Sequence, residues 1–122
     1  VKTAMLKMSA LDQKFLDKVI SIIEHNMKKG IDVDINTIAR EVGLSKSSFY
    51  RKIKLITDLS PVEFVKNIRL KHAYELLEGG ETSLDAIAYS TGFSGAKYLS
   101  TCFKEQFGIT PTEFLRKRGL VD

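Results

Sequence analysis

The stretch Ile38-Ala39-Arg40-Glu41-Val42-Gly43-Leu44-Ser45 returns later in the same chain as Ile87-Ala88-Tyr89-Ser90-Thr91-Gly92-Phe93-Ser94. Each copy runs on into a basic amphipathic segment, which ends at Ile53-Lys54 in the first and at Phe103-Lys104 in the second. Each then closes on a matching coda, Leu59-Ser60-Pro61-Val62-Glu63-Phe64 and Ile109-Thr110-Pro111-Thr112-Glu113-Phe114. The offset is 49 residues as far as the serine and 50 from the lysine onward, so the second copy carries one extra residue after its turn. Repetition of this kind marks one supersecondary unit used twice.

Read locally, each unit is a pair of short helices around a glycine turn. Asn36 is placed as the N-cap of a helix carrying Ile38, Ala39 and Val42, which Gly43 breaks. Ser45 caps the next helix, which runs to about Ile56 and buries Phe49 and Ile53. Upstream, Phe15, Leu16, Val19, Ile20, Ile22, Ile23 and Met27 recur at three- and four-residue steps, giving a helix from Asp12 that Gly30 ends. Downstream, Ser60-Pro61 opens a long helix, since proline suits the first helical turn, and Gly79-Gly80 stops it. After Ser83 the cycle repeats, with helices near 84–90, 94–107 and 111–118. No segment alternates with a strand period. The expected fold is all-α, with about seven helices in two tandem helix-turn-helix subdomains joined by a long connecting helix. The expected divisions are a tail at 1–11, a first subdomain at 12–59, the connecting helix at 60–78 and a second subdomain at 79–122.

Bulk properties narrow the function. The 122 residues suffice for one or two small cores, not for an elaborate lidded active site. Net charge is +4, and it is unevenly spread. Residues 1–60 hold eleven Lys/Arg against seven Asp/Glu, and residues 61–122 hold eight of each. Lys46–Lys54 contains four cations and no acid, as suits a surface facing phosphate. The single cysteine, Cys102, excludes an intramolecular disulfide and makes a cytosolic chain the default reading. No apolar run reaches the ~18 residues of a membrane span, and Val1-Lys2-Thr3-Ala4-Met5 does not open a signal peptide. Without an initiator methionine at position 1, the chain reads as a piece cut from something longer. The longer protein is then open to being a membrane-anchored sensor.

Enzyme chemistry finds no foothold. His25 and His72 lie far apart, with no cysteine or carboxylate at metal-ligand spacing. Cys102 sits beside Phe103 and reads as a core thiol, with no base to activate it. Neither common phosphate-loop pattern is present. No metal or other cofactor is expected.

A helix-turn-helix needs a small residue where its helices cross, here Ala39 or Ala88, and a turn residue tolerant of positive φ, here Gly43 or Gly92. Leu44 or Phe93 plugs the turn into the core. The second helix then presents its outer face to the major groove of a duplex. The connecting helix, at about nineteen residues, spans roughly 28 Å at ~1.5 Å per residue. Successive major-groove faces on one side of B-DNA lie ~34 Å apart, so such a helix could hold two readers in adjacent grooves.

The stretch from Ile87-Ala88 to Phe114, with Gly92-Phe93-Ser94, Tyr98-Leu99, Phe103-Lys104, Phe107-Gly108 and Pro111 in order, resembles the DNA-binding domain of the AraC/XylS family of transcription regulators. The resemblance covers about Asp12 to Arg118. More narrowly, Phe15-Leu16-Asp17-Lys18, Ser48 to Lys54, Leu59-Ser60-Pro61 and Ile68-Arg69-Leu70-Lys71 are similar to the C-terminal output domain of hybrid two-component sensor regulators. The resemblance implies sequence-specific binding of double-stranded DNA in transcriptional control, most often activation. It implies base contacts from the outer face of each second helix, which are Ser47, Tyr50 and Arg51 in the first copy and Ala96, Lys97, Ser100 and Thr101 in the second. Arginine can grip guanine O6 and N7 with both arms, which makes Arg51 the sharpest candidate. Many family members carry arginine where Thr101 stands, so the second reader here is poorer in charge. Phosphate contacts are expected at Lys46, Lys54 and Lys104. The caps Ser45, Ser94 and Thr110 join them, because a helix N-terminus can serve a phosphate through its N–H groups.

Tyr50 has two readings, one at the groove and one as a cover over the helix pair. Arg69 and Lys71 on the connecting helix are expected to be solvated or paired with Glu75. Arg116-Lys117-Arg118 could reach phosphate, but basic residues at a helix C-terminus need no such purpose. Further partners implied are RNA polymerase and a second copy, joined through domains outside this chain. The rival reading is a helical protein-interaction module that binds no DNA.

Overall fold

The computed structural model describes residues 9–30 and 34–121. Among them there are seven helices and no strand: α1 (Ala10–Lys28), α2 (Ile35–Glu41), α3 (Lys46–Thr57), α4 (Pro61–Glu78), α5 (Leu84–Thr91), α6 (Ala96–Phe107) and α7 (Pro111–Lys117). The all-α expectation holds, and all seven helices begin or end within two residues of where local signals place them. The tail expected at 1–11 lies mostly outside the described residues.

Backbone contacts divide the chain into two compact units. Among the described residues, the first comprises 9–26 and 34–65 and the second 27–30 and 66–121. The division falls inside α4, between Val65 and Lys66.

In the first unit, α2 packs on α3. Ile38, Ala39, Phe49 and Ile53 are buried, as are Leu16, Val19 and Ile23 on the inner stripe of α1. The Phe15 ring meets Phe49 edge to face, with centroids 6.2 Å apart, so α1 braces the back of α3. Burial of a side chain the size of Phe49 contributes roughly 1.5–3 kcal/mol, which holds α3 by its inner face and leaves the outer face uncommitted.

The second unit repeats the arrangement. Its core gathers Leu70, Ala73 and Leu77 of α4, Ile87 and Ala88 of α5, Phe93 of the turn, Leu99, Cys102 and Phe103 of α6, and Leu115 of α7. Phe103 stacks within a ring cluster completed by Tyr74, Phe107 and Phe114.

Both turns are built alike. The Leu44 N–H donates to the Ala39 carbonyl at 2.9 Å, and the Phe93 N–H donates to the Ala88 carbonyl at 3.0 Å. Closing this way requires the residue between to sit at positive φ, which Gly43 (φ 76) and Gly92 (φ 85) supply. Ala39 and Ala88 are each 2% exposed, as the crossing of two helices demands.

Two caps differ from the sequence expectation. The N-cap of α2 is Asp34, not Asn36, and its carboxylate accepts the Thr37 N–H at 2.8 Å. The bond also holds the Asp34 carboxyl below its ordinary pKa. The helix therefore starts earlier, with Asn36 already inside its first turn. At α6 the N-cap is Gly95, with extended backbone and no side-chain cap bond, whereas Ser45 caps α3 by accepting the Ser48 N–H at 3.2 Å. The extra residue of the second copy is what moves Ser94 off the cap.

Candidate nucleic-acid interface

The outer face of α3 is assembled from its own first two turns. Ser45, Lys46, Ser47, Tyr50 and Arg51 line a single shallow depression. The spacing causes this, because residues three and four apart share one helical face, and Phe49 and Ile53 commit the opposite face to the core. Lys46, Ser47 and Arg51 are exposed, and Tyr50 is 50% exposed. The Tyr50 ring shares this exposed face with Lys46 and Arg51. Arg51 Nη2 donates to Ser48 Oγ at 3.4 Å, a long bond that steers the guanidinium without immobilising it. Ser48 was not among the expected residues, and its i,i+3 spacing to Arg51 was the signal that could have found it.

The acid-free run Lys46–Lys54 does not act as one surface. The Lys52 ammonium lies 4.5 Å from the Phe15 ring centroid, turned toward α1 and partly covered. Lys54 Nζ donates to the Asp58 carbonyl at 3.2 Å and serves the C-terminal end of its own helix. Lys46 and Arg51 are the cations of this run on the depression. Leu55, one turn beyond Arg51, is 87% exposed, and an apolar side chain there can touch a thymine methyl.

On α6 the same register places Ala96, Lys97, Ser100 and Thr101. Lys97 and Thr101 are exposed, while Ala96 and Ser100 are half-buried. The Thr101 hydroxyl donates to the Lys97 carbonyl at 3.1 Å, so its proton is spent on the helix and it offers outward a lone pair and a methyl. Tyr98 packs edge-on against Phe93 at 5.8 Å, and the neighbouring Cys102 thiol raises its phenol pKa. Lys104 is exposed near the C-terminal end of the helix.

Among the serine and threonine candidates, Ser45 keeps its cap role beside the depression, and Ser94 is exposed but caps nothing. Thr110 is held in a capping box. Its hydroxyl accepts the Glu113 N–H at 3.1 Å, and Glu113 Oε1 accepts the Thr110 N–H at 3.0 Å. The box thus engages two of the N–H groups at the start of this helix within the protein. The same Thr110 N–H lowers the Glu113 carboxyl below its usual pKa.

Of the two expectations for Arg69, solvated or paired with Glu75, the buried Nε removes the first. Its guanidinium is drawn in over the second turn, with Nε 2.9 Å and Cζ 3.2 Å from the point where a Cβ on Gly92 would stand. His72 Nδ1 lies 3.5 Å from Glu75 Oε1, and His25 is exposed on α1. Among the described residues, no group of three or more His, Cys, Asp and Glu could hold a metal, and no helix is long and apolar enough to cross a membrane. Cys102 is buried, as a core thiol should be.

Residues 38–117 match the family described as "Helix-turn-helix domain". Histidine kinase P4 of Formosa agariphila is 36% identical over 109 residues, covering 89% of this chain and 8% of that protein. The HTH-type transcriptional activator RhaS of Mannheimia succiniciproducens is 34% identical over 96 residues, covering 79% of this chain and 35% of that protein. The chain thus spans well under half of these relatives. Among solved structures, an AraC-type regulator from Chromobacterium violaceum superposes with a TM-score of 0.79 at 28% identity, covering 90% of this chain and 96% of that one. The DNA-binding domain of AdpA, solved in complex with a target DNA, gives 0.74 at 26%, covering 85% and 94%. The C-terminal domain of AraT, a response regulator from Geobacillus stearothermophilus, gives 0.74 at 25%, covering 92% and 88%. With its paired glycine turns, its outward-facing second helices and these relatives, the chain belongs to the AraC-type helix-turn-helix family of DNA-binding transcription regulators, a non-enzymatic fold.

Proposed function

We propose that this domain reads a bipartite operator, α3 and α6 entering neighbouring major-groove segments of one duplex, and that its bound state activates transcription. The observation that carries the reading is the outer face of α3, where Lys46, Ser47, Tyr50 and Arg51 stand together and uncommitted to the core. Lys97 and Thr101 stand at the same register on α6. Lys46 docks against phosphate, and Arg51 selects a guanine through its two-armed geometry. Lys97 is the basic side chain of the α6 face, so the first helix contributes more affinity than the second. Lys104 and Ser45 are the further phosphate candidates, whereas Lys54 and Thr110 are engaged within the protein.

The likeness to AdpA bound to its target DNA, to the activator RhaS and to the response regulator AraT supports this reading. In a longer chain like Histidine kinase P4, phosphorylation elsewhere would pair two such domains and raise their effective concentration at a double site. RNA polymerase is the further partner of an activator, and promoter DNA as ligand sets the site of action in the cytoplasm.

Selection of sites from a random duplex library, followed by titration at several salt concentrations, tests the proposal. Two enriched elements about one helical turn apart, with affinity falling steeply as salt rises, are expected. A single short element would remove α6 as a reader. Flat salt dependence, or no enrichment, would leave a protein-interaction module instead.

A further inference from the structure

The two turns share their hydrogen bonds but not their surroundings. A Cβ placed on Gly43 would meet nothing within 4 Å. A Cβ placed on Gly92 would stand 2.9 Å from Arg69 Nε, 3.2 Å from Cζ and 3.5 Å from Cδ. The second turn is therefore covered by a charged side chain from α4, and the first is open. Arg69 Nε is buried, so the guanidinium is held at the turn and does not sweep through solvent. The charge is also felt at Tyr98, on the first turn of α6, where it opposes the rise in the phenol pKa. Tyr98 in turn packs on Phe93, the residue that follows Gly92. A chain of contacts thus runs from Arg69 on α4 to the turn backbone at Gly92, and from Phe93 to Tyr98 at the start of α6.

We infer that Arg69 is a positioning residue for the second reading helix, fixing the α5–α6 turn and with it the direction in which α6 presents Lys97 and Thr101. The inference rests on α6 reading DNA but concerns a residue that does not touch it. It gives Gly92 two requirements where Gly43 has one. Each must adopt positive φ, but Gly92 must also be bare so that a planar cation can lie against it. Methionine keeps the length of Arg69 without its charge or fork, and lysine keeps the charge as a point on a flexible stem.

Two measurements on Arg69→Met and Arg69→Lys separate positioning from its rivals. The first needs no DNA. Amide exchange at Phe93, whose N–H bonds to Ala88, accelerates at least tenfold more than exchange at Leu44, whose N–H bonds to Ala39 in the uncovered turn. Equal change at the two amides would overturn the inference. The second uses a duplex with both elements intact and one with the second element scrambled. The wild type prefers the intact duplex by about tenfold or more, a typical discrimination for a mismatched site. Arg69→Met brings that ratio toward one while discrimination at the first element and the slope of affinity against salt stay unchanged. A salt slope reduced by about one would make Arg69 a direct phosphate contact and refute positioning. A preserved ratio would refute it as well. A wild type indifferent to the second element would instead count against α6 as a reader, and the exchange measurement would still decide the role of Arg69 in the turn.

Discussion

Replacing Arg51 by alanine removes the side chain best placed to read a base and little else. Its guanidinium is exposed, and its recorded internal bond is the 3.4 Å contact with Ser48 Oγ. Loss of an exposed side chain with so weak a tether changes folding stability by no more than about 0.5 kcal/mol, so the melting temperature should move by only a few degrees. Binding is a different matter. A two-armed contact to guanine is worth roughly 1–3 kcal/mol of discrimination, which corresponds to about a 5- to 150-fold rise in Kd on the preferred duplex. On a duplex with that guanine replaced, the variant and the wild type should bind alike. Lys97→Ala on α6 is the comparison, because lysine offers a point charge without a fork. Its loss should be smaller, and should lower the slope of log affinity against log salt by about 0.9 for one phosphate neutralised. Fluorescence anisotropy with labelled duplexes at fixed salt, repeated over a salt series, measures both. A larger loss from Lys97→Ala would overturn the ranking of the two helices. An Arg51→Ala loss equal on every duplex would show that Arg51 grips backbone and reads nothing.

The caps give a prediction that separates the structure from the bare repeat. Ser45→Ala should cost about 1 kcal/mol, because it strips α3 of a cap bond, while Ser94→Ala should stay within about 0.5 kcal/mol because Gly95 holds the cap position; chemical denaturation measures both, and equal losses would refute the assignment. Acid should weaken the fold partly through Glu113 and Asp34, each held below its ordinary value, 4.5 and 3.8, by a backbone N–H of Thr110 and of Thr37 respectively. In both, the folded form binds its proton less tightly than the unfolded form, so the stability they contribute is complete above those ordinary values and is lost as pH falls through the lower, folded ones. Urea midpoints between pH 6 and pH 3 should therefore fall less for Glu113→Gln than for the wild type, and superimposable acid limbs would remove Glu113 from the account.

What was legible in the sequence was whatever depends on neighbours along the chain. Helix positions follow from the spacing of Ile38, Phe49, Ile53 and their counterparts, and the turns follow from Gly43 and Gly92, since only glycine adopts that φ without strain. The exposed outer faces of α3 and α6 follow as well, because committing one side of a short helix to the core settles which side is left. What needed the tertiary structure was every question about a long polar side chain. Four cations in Lys46–Lys54 look equivalent as letters, yet Lys52 is taken by the Phe15 ring and Lys54 by the carbonyl of Asp58. Serine after the turn reads as a cap in both copies, yet a single inserted residue displaces one of them. Arg69 reads as a charge that is solvated or paired with Glu75 on its own helix, yet it lies against the backbone of Gly92, twenty-three residues away. Flexible side chains have many rotamers, and the one they keep is chosen by surfaces that folding brings up from elsewhere in the chain.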